Sequence, residues 1–119
     1  MNGTHEMKTL VVHENSWPWG RTVSFVFPDG KAMVDMSFDD EDIGVCYISG
    51  LRVTKDVRRK GRARFLMLSC IDYCERAGIF RIDLKSVDED FVIEFYHSLG
   101  FEDIKEQDGF VIMSKMLKG

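Results

Sequence analysis

A short basic loop with a single glycine is the segment of this 119-residue sequence best suited to bind an anionic ligand. It follows a predicted strand at 45–53 and opens a predicted helix. N–H groups at a helix start have no partner within the helix and, aided by the helix dipole, attract anions. The glycine has no Cβ, so a phosphate group can approach its backbone closely. The loop consists of Arg58, Arg59, Lys60, Gly61, Arg62 and Ala63.

The charge around this loop contrasts with that of the whole chain. From Arg52 to Arg64 there are seven basic residues and one aspartate, a net charge of +6, whereas the chain as a whole carries -4. Arginine and lysine add charge-assisted hydrogen bonds to phosphate oxygens, so strand, loop and helix together predict a diphosphate cradle. The patterns GxxxxGK[ST] and GxGxxG are absent, which argues against a P-loop or a dinucleotide site. A solvated loop and a nucleic-acid-binding surface remain alternatives, the latter disfavoured by the net acidity.

Composition indicates one globular domain over residues 1–119. Hydrophobic residues make up 45% of the chain and charged residues 30%, typical of a protein with its own core. No apolar run is long enough to span a membrane or to act as a signal peptide, so we expect a cytoplasmic protein. The three cysteines, Cys46, Cys70 and Cys74, form no CxxC motif and predict neither a disulfide framework nor a metal site.

The hydrophobic periodicity predicts the element order β-β-β-β-α-β-α-β-β. Pro28-Asp29-Gly30 is a strong turn signal between two strands, and Gly50 suggests a bulge in the fourth. Ser86 and Glu89 have capping-box spacing ahead of the second helix. The fold class is therefore α/β (α+β), with a mixed, mostly antiparallel sheet and a central βαβ crossover. Strands are expected at 8–14, 22–27, 31–38, 45–53, 79–84, 101–105 and 110–116. Helices are expected at 62–77 and, after the capping box at 86–89, along the apolar face from 91 to 99.

Two sequence motifs, one in the basic loop and one in the second predicted helix, resemble motifs of a known family. Arg58, Gly61 and Ala63 match a signature of Arg or Gln, two residues, Gly, one residue, then Gly or Ala. Residues 93–101 are similar to the same family's helix with a Phe-Tyr pair and a Leu-Gly-Phe exit. Over residues 22–117 the sequence resembles the GNAT superfamily of acyl-CoA-dependent N-acyltransferases.

The resemblance implies a function and a set of site residues. Acetyl-CoA would lie in a gap between two splayed parallel strands, expected at 51–53 and 82–86, and its acetyl group would pass directly to a primary amine. The backbone of Leu51, Arg52 and Val53 would hold the pantetheine, and residues 58–63 the pyrophosphate. Tyr96 matches the tyrosine that donates a hydrogen bond to the departing sulfur. A non-catalytic acyl-CoA-binding relative is the main alternative.

The sequence departs from the family at positions that matter for catalysis. Some relatives carry a glutamate base where this chain has Tyr47, which leaves Asp35, Ser49 (through water) and His97 as candidates. Many relatives carry asparagine where this chain has Glu89. The general base and one cofactor contact are therefore not identified by the resemblance.

The acceptor side differs most, because relatives usually place two helices between their first two strands. Here a predicted loop at 15–20, containing Trp17 and Trp19, takes their place. This predicts an open acceptor site, completed by a large substrate, by the second copy of a homodimer or by the aromatic loop itself, and favours a protein or peptide amine. The acidic run at 39–42 is either a solvated turn or an attractor for a cationic acceptor.

Overall fold

A computed structural model describes residues 9–117, in which seven strands and two α-helices follow the predicted order. The predicted start of the first strand, at residue 8, lies outside the described residues. The elements are β1 (Val11–Trp17), β2 (Gly20–Val26), β3 (Ala32–Asp39), β4 (Val45–Val53), α1 (Arg62–Arg76), β5 (Arg81–Val87), α2 (Asp90–Ser98), β6 (Glu102–Gln107) and β7 (Phe110–Met116).

The strands form one sheet in the order β1-β2-β3-β4-β5-β7-β6. β4 and β5 pair in parallel and are connected by α1, whereas all other neighbours are antiparallel. The predicted mixed sheet with one βαβ crossover is confirmed. A parallel pair needs a long crossover connection, and the helical period of 62–77 supplies it.

Both helices pack on the same face of the sheet. Alternate side chains of β3, such as Val34 and Met36, and of β5, such as Ile82 and Leu84, are buried in one core with residues of α1 and α2. All three cysteines are buried and free, so they pack as small hydrophobic residues. Within residues 9–117 neither helix is long and apolar enough to cross a membrane.

The first hairpin differs from its prediction. Residues 15–20 were expected as a loop, but β1 continues to Trp17, which pairs with Gly20 across a two-residue turn. A Cβ on Gly20 would lie 2.0 Å from the Phe38 carbonyl oxygen, so only glycine lets β3 approach this closely. The Trp17 indole also donates to the Thr22 hydroxyl at 3.2 Å. Pairing with β2 overrides the loop-like composition of the segment.

The start of α2 is also different. The predicted capping box, with Ser86 as its first residue, is wrong: Ser86 belongs to β5, and the N-cap position is occupied by Glu89 without a side-chain cap. The Ser86 side chain is buried, and its hydroxyl donates to the Val87 carbonyl at 2.8 Å. Strand pairing with Val111 therefore takes Ser86 away from the helix.

Candidate functional site

A β-bulge separates β4 from β5 halfway along β4. Asp35 of β3 pairs with Gly50 and Met36 pairs with Ile48, so Ser49 is an extra residue. The parallel pairing of β4 with β5 runs from Val45 only to Ile48, although both strands continue. A bulge bends and twists its strand, which parts the two strands at this point. A bulge is present as expected, with Ser49 as the extra residue beside Gly50. The gap was expected to include 82–86 of β5, but Ile82 to Leu84 still pair with β4, so on the β5 side the gap begins only after Leu84.

Beyond the bulge, the backbone of β4 faces this gap. The Thr54 N–H donates to the Lys31 carbonyl at 2.9 Å, toward β3. Alternate residues of a strand direct their N–H and C=O groups to opposite sides, so Leu51 and Val53 direct theirs toward β5. The Val53 carbonyl accepts a hydrogen bond from Arg58 Nε at 2.9 Å. The strand end therefore offers backbone hydrogen-bonding groups to the gap, one of them held by Arg58.

The loop that follows ends in a helix start without a side-chain cap. Arg59 has a left-handed backbone (φ 65°), and Gly61, the N-cap residue of α1, has φ 77° and ψ 9°. No acidic residue lies in the first turn of α1. A Cβ on Gly61 would meet no atom within 4 Å. The first-turn N–H groups thus border empty space, as an anion site requires.

Some of the basic side chains of this region are engaged within the protein. Arg62 makes two 2.9 Å contacts with Asp29 and stacks over the Phe27 ring at 4.4 Å. This guanidinium lowers the pKa of Asp29. Lys31 pairs with Asp56 and lowers the pKa of that carboxyl to about 2. Through these pairs, Asp29 and Lys31 at the β2–β3 turn hold both sides of the basic loop.

The gap, the loop and α2 enclose a cavity of about 640 Å³. Eight of the ten residues predicted for the site line it, whereas Arg52 and Lys60 do not. The Arg52 guanidinium instead contacts Met33 Sδ at 2.7 Å. The predicted residues in the lining are Leu51, Val53, Arg58, Arg59, Gly61, Arg62, Ala63 and Tyr96.

Five further residues that motif analysis missed also line the cavity. Val57 and Arg64 flank the basic loop, and the other three belong to the apolar face of α2. The sequence signal for that face is its helical period, which indicates burial without showing that part of the stripe faces a ligand. The three α2 residues are Phe91, Val92 and Phe95.

Tyr96 lines this cavity and is buried. Its side chain is 9% exposed, and among the described residues no group hydrogen-bonds the hydroxyl. Burial raises the pKa of Tyr96 above its usual value, because the phenolate is poorly solvated there. A buried tyrosine hydroxyl normally has a partner, so this neutral donor is available to a ligand atom.

The three candidate bases lie in two different places. His97 pairs with Asp103 at 2.7 Å and lines a separate cavity between α2 and β6. Asp35 and Ser49 meet at the bulge, where the Ser49 hydroxyl contacts the Asp35 carbonyl at 3.4 Å. Asp35 also accepts a hydrogen bond from the Ser24 hydroxyl at 2.5 Å. None of the three lines the cavity beside the gap, and His97 lies in a different cavity altogether.

The fold matches that of several solved acetyltransferases at low sequence identity. One is PaiA N-acetyltransferase from Thermoplasma acidophilum in complex with coenzyme A, with a TM-score of 0.68 and 17% identity over 80% of this chain and 59% of that one. The ribosomal-protein-S18-alanine N-acetyltransferase from Escherichia coli gives a TM-score of 0.72 and 19% identity, over 87% and 73%. A GNAT-family acetyltransferase from Staphylococcus aureus gives 0.67 and 18%, over 83% and 68%.

The chain spans 59% of the length of the Thermoplasma protein, so it is the shorter of the two. No curated protein sequence matches it. The model of the acetyltransferase (GNAT) family matches residues 4–101, which include the bulge, the basic loop and α2. The chain shares the fold of these solved acetyltransferases, has a helix start open to an anion, and matches the family model over most of its length. It therefore belongs to the GNAT family of acetyltransferases.

Proposed function

We propose that this protein transfers the acetyl group of acetyl-CoA to a primary amine. The observation that carries the proposal is that one cavity is lined by the open helix start at Gly61, by Leu51 and Val53 of the strand end, and by Tyr96. A diphosphate, an amide chain and a thioester need these three kinds of group, in this order along the cofactor. Acetyl-CoA supplies an activated acyl group, and the amine replaces the thiol at its carbonyl carbon.

The helix start fits the diphosphate. Free N–H groups of the first turn and the empty space at Gly61 allow direct contact with phosphate oxygens. Arg58 and Arg59 line the same cavity and contribute positive charge. Arg62 contributes its backbone, because its side chain is bound to Asp29.

The strand end fits the pantetheine. Leu51 and Val53 direct N–H and C=O groups into the gap, so they can pair with the two amides of that arm in the manner of an added strand. Arg58 Nε must then leave the Val53 carbonyl, which frees the guanidinium to turn toward the phosphates. A backbone N–H at the same strand end polarises the thioester carbonyl.

Tyr96 acts as a hydrogen-bond donor to the departing sulfur. A free tyrosine titrates near ~10 and a thiol near ~8.5, so complete proton transfer to the thiolate is already unfavourable. Burial raises the pKa of Tyr96 further and strengthens this argument. The phenol therefore stabilises the leaving thiolate without giving up its proton.

The acceptor must lose a proton before attack, and Asp35 is the best-placed carboxylate. It lies opposite Gly50 at the bulge, on the face of the sheet away from the helices. The absence of any carboxylate among the described residues that line the cavity supports the second candidate function, a non-catalytic acyl-CoA binder.

Two measurements separate these candidates. Calorimetric titration with CoA tests binding, and release of free thiol from acetyl-CoA with a panel of amines and peptides tests transfer. Binding together with amine-dependent thiol release, with the acetylated amine seen by mass spectrometry, supports the transferase. Binding without transfer to any acceptor supports the binder, and a folded protein that does not bind CoA contradicts both.

A further inference from the structure

The face of the sheet opposite the helices is uncovered across its central strands. Within residues 9–117 no helix packs on it, and Tyr47 and Met116 on this face are 41% and 65% exposed. Two cavities of about 380 and 500 Å³ lie along it, and Asp83 of β5 lines both. The two cavities adjoin at Asp83, and their lining residues follow one another across the sheet from β3 to β6, a row that we call the groove.

The groove is acidic. Carboxylates reach it from β3, the following turn, β5 and β6, through Asp39, Asp42, Asp83 and Glu102. The one basic side chain among the described residues that line it is Arg81, which donates two hydrogen bonds to Asp83, at 2.9 and 3.0 Å. Arg81 also attracts Asp42 electrostatically, but among the described residues Asp39, Asp42 and Glu102 form no ion pair. The four carboxylates thus outnumber the one cation in the groove, and a cationic ligand complements them.

Aromatic rings form the wall at one end. Trp19, from the β1–β2 turn, and Tyr47, from β4, line the smaller cavity and are nearly half exposed. Exposed indole and phenol faces attract ammonium and guanidinium groups. The position of Trp19 depends on the close approach of Gly20 to β3. The Trp19 carbonyl also accepts a hydrogen bond from the Asp40 N–H at 2.8 Å.

The groove passes beside the point where β4 and β5 part. Tyr47 and Asp83 are register partners, one pair before Ile48 and Leu84, the last pair of the parallel ladder. A ligand in the groove thus lies next to the gap in which the acyl group is proposed to sit. The groove crosses five strands, or roughly 20 Å, which an extended chain of about six residues would span.

We propose that this groove docks a cationic, extended polypeptide segment, so that the acceptor amine is carried by a lysine or N-terminus flanked by basic residues. The inference rests on the acetyltransferase function proposed above. A small amine would occupy only a fraction of the groove, whereas a short basic peptide matches its length and its charge.

The test uses the full chain saturated with CoA and three fluorescent hexapeptides, each with one central lysine and with basic, neutral or acidic flanks. Fluorescence anisotropy at low salt should show tightest binding for the basic peptide, weakened by 0.5 M NaCl. The double variant Asp39→Asn/Asp42→Asn should bind it about fivefold more weakly, since each exposed charge pair contributes modestly. Asp72→Asn/Glu75→Gln removes the same charge from α1, and should bind it like wild type.

Three results would overturn the inference. Equal binding of the three peptides would show that charge is not recognised, and equal weakening in the α1 variant would show only a long-range effect of net charge. A homodimer that Tyr47→Arg converts to a monomer would assign the face to a second copy of the chain. The proposed function is tested separately: it fails if CoA does not bind, whereas CoA binding without peptide discrimination removes only the docking surface.

Discussion

The two faces of the sheet contrast in how they are built. On the helix face, one continuous stretch from Leu51 to Arg64 supplies the strand end, the basic loop and the helix start. On the open face, the acidic groove is assembled from two or three residues each of β3, β4, β5, β6 and β7 and from the β1–β2 and β3–β4 turns. The helix face is cationic at its phosphate end, and the open face is acidic.

We propose that the two faces serve different parts of the reaction. A cofactor common to a family can be held by backbone groups of a local motif, which tolerates variation in side chains. An acceptor is distinguished by side-chain charge and shape, which here come from distant parts of the chain. Variants that damage one face and spare the other test this division.

The largest effect is expected for Gly61→Asp. A carboxylate in the space beside the helix start would repel the diphosphate, and we expect CoA affinity to fall by at least about 100-fold, measured by calorimetry. Gly78→Asp is the matched control, because Gly78 also has a left-handed backbone and open space but lies at the far end of α1. Unchanged CoA affinity in a folded Gly61→Asp protein would remove the cradle from the mechanism.

A smaller effect, on the other face, is expected for Gly20→Ala. The added Cβ would collide with the Phe38 carbonyl, and overpacking of this kind lowers the free energy of unfolding by about 1–3 kcal/mol. Denaturant titration measures this loss. The backbone must move to relieve this collision, and the movement displaces Trp19. Binding of the basic peptide should therefore weaken, while CoA affinity stays at the wild-type value. A parallel loss of CoA affinity would show that the two faces are not independent.

The smallest effect is expected for Tyr96→Phe. Loss of one hydrogen bond to the departing sulfur should lower kcat about tenfold and leave CoA affinity unchanged, as measured by steady-state thiol release and calorimetry. Since burial raises the pKa of Tyr96, ionisation of this phenol should not limit turnover below about pH 10. Below that pH, the plots of kcat against pH for wild type and Tyr96→Phe should run parallel.

The control for Tyr96→Phe is Tyr73→Phe on α1, whose hydroxyl accepts from Arg21 at 3.0 Å and lines no part of the cavity. Equal kinetics for wild type and Tyr96→Phe would reduce Tyr96 to a packing residue. A kcat loss shared by Tyr73→Phe would point to a general effect on stability.

Most of the fold follows from local patterns. The helical period from Arg62 onward and the glycines at the helix ends specify α1 and α2, and the Pro28–Gly30 turn specifies the β2–β3 hairpin. Local patterns failed where tertiary pairing competes with them. Asn15 and Ser16 look like loop residues but pair with β2, and Ser86 looks like a cap but pairs with β7.

The residues proposed to hold the cofactor could be predicted from the sequence, because they present backbone groups from one contiguous motif. Only the tertiary structure decided which basic side chains stay free, since Arg62 meets Asp29 across 33 positions of the chain. It also decided that Tyr96 has an unbonded hydroxyl and that carboxylates from separate strands share a groove. Such features depend on distances between remote residues, which a linear pattern does not contain.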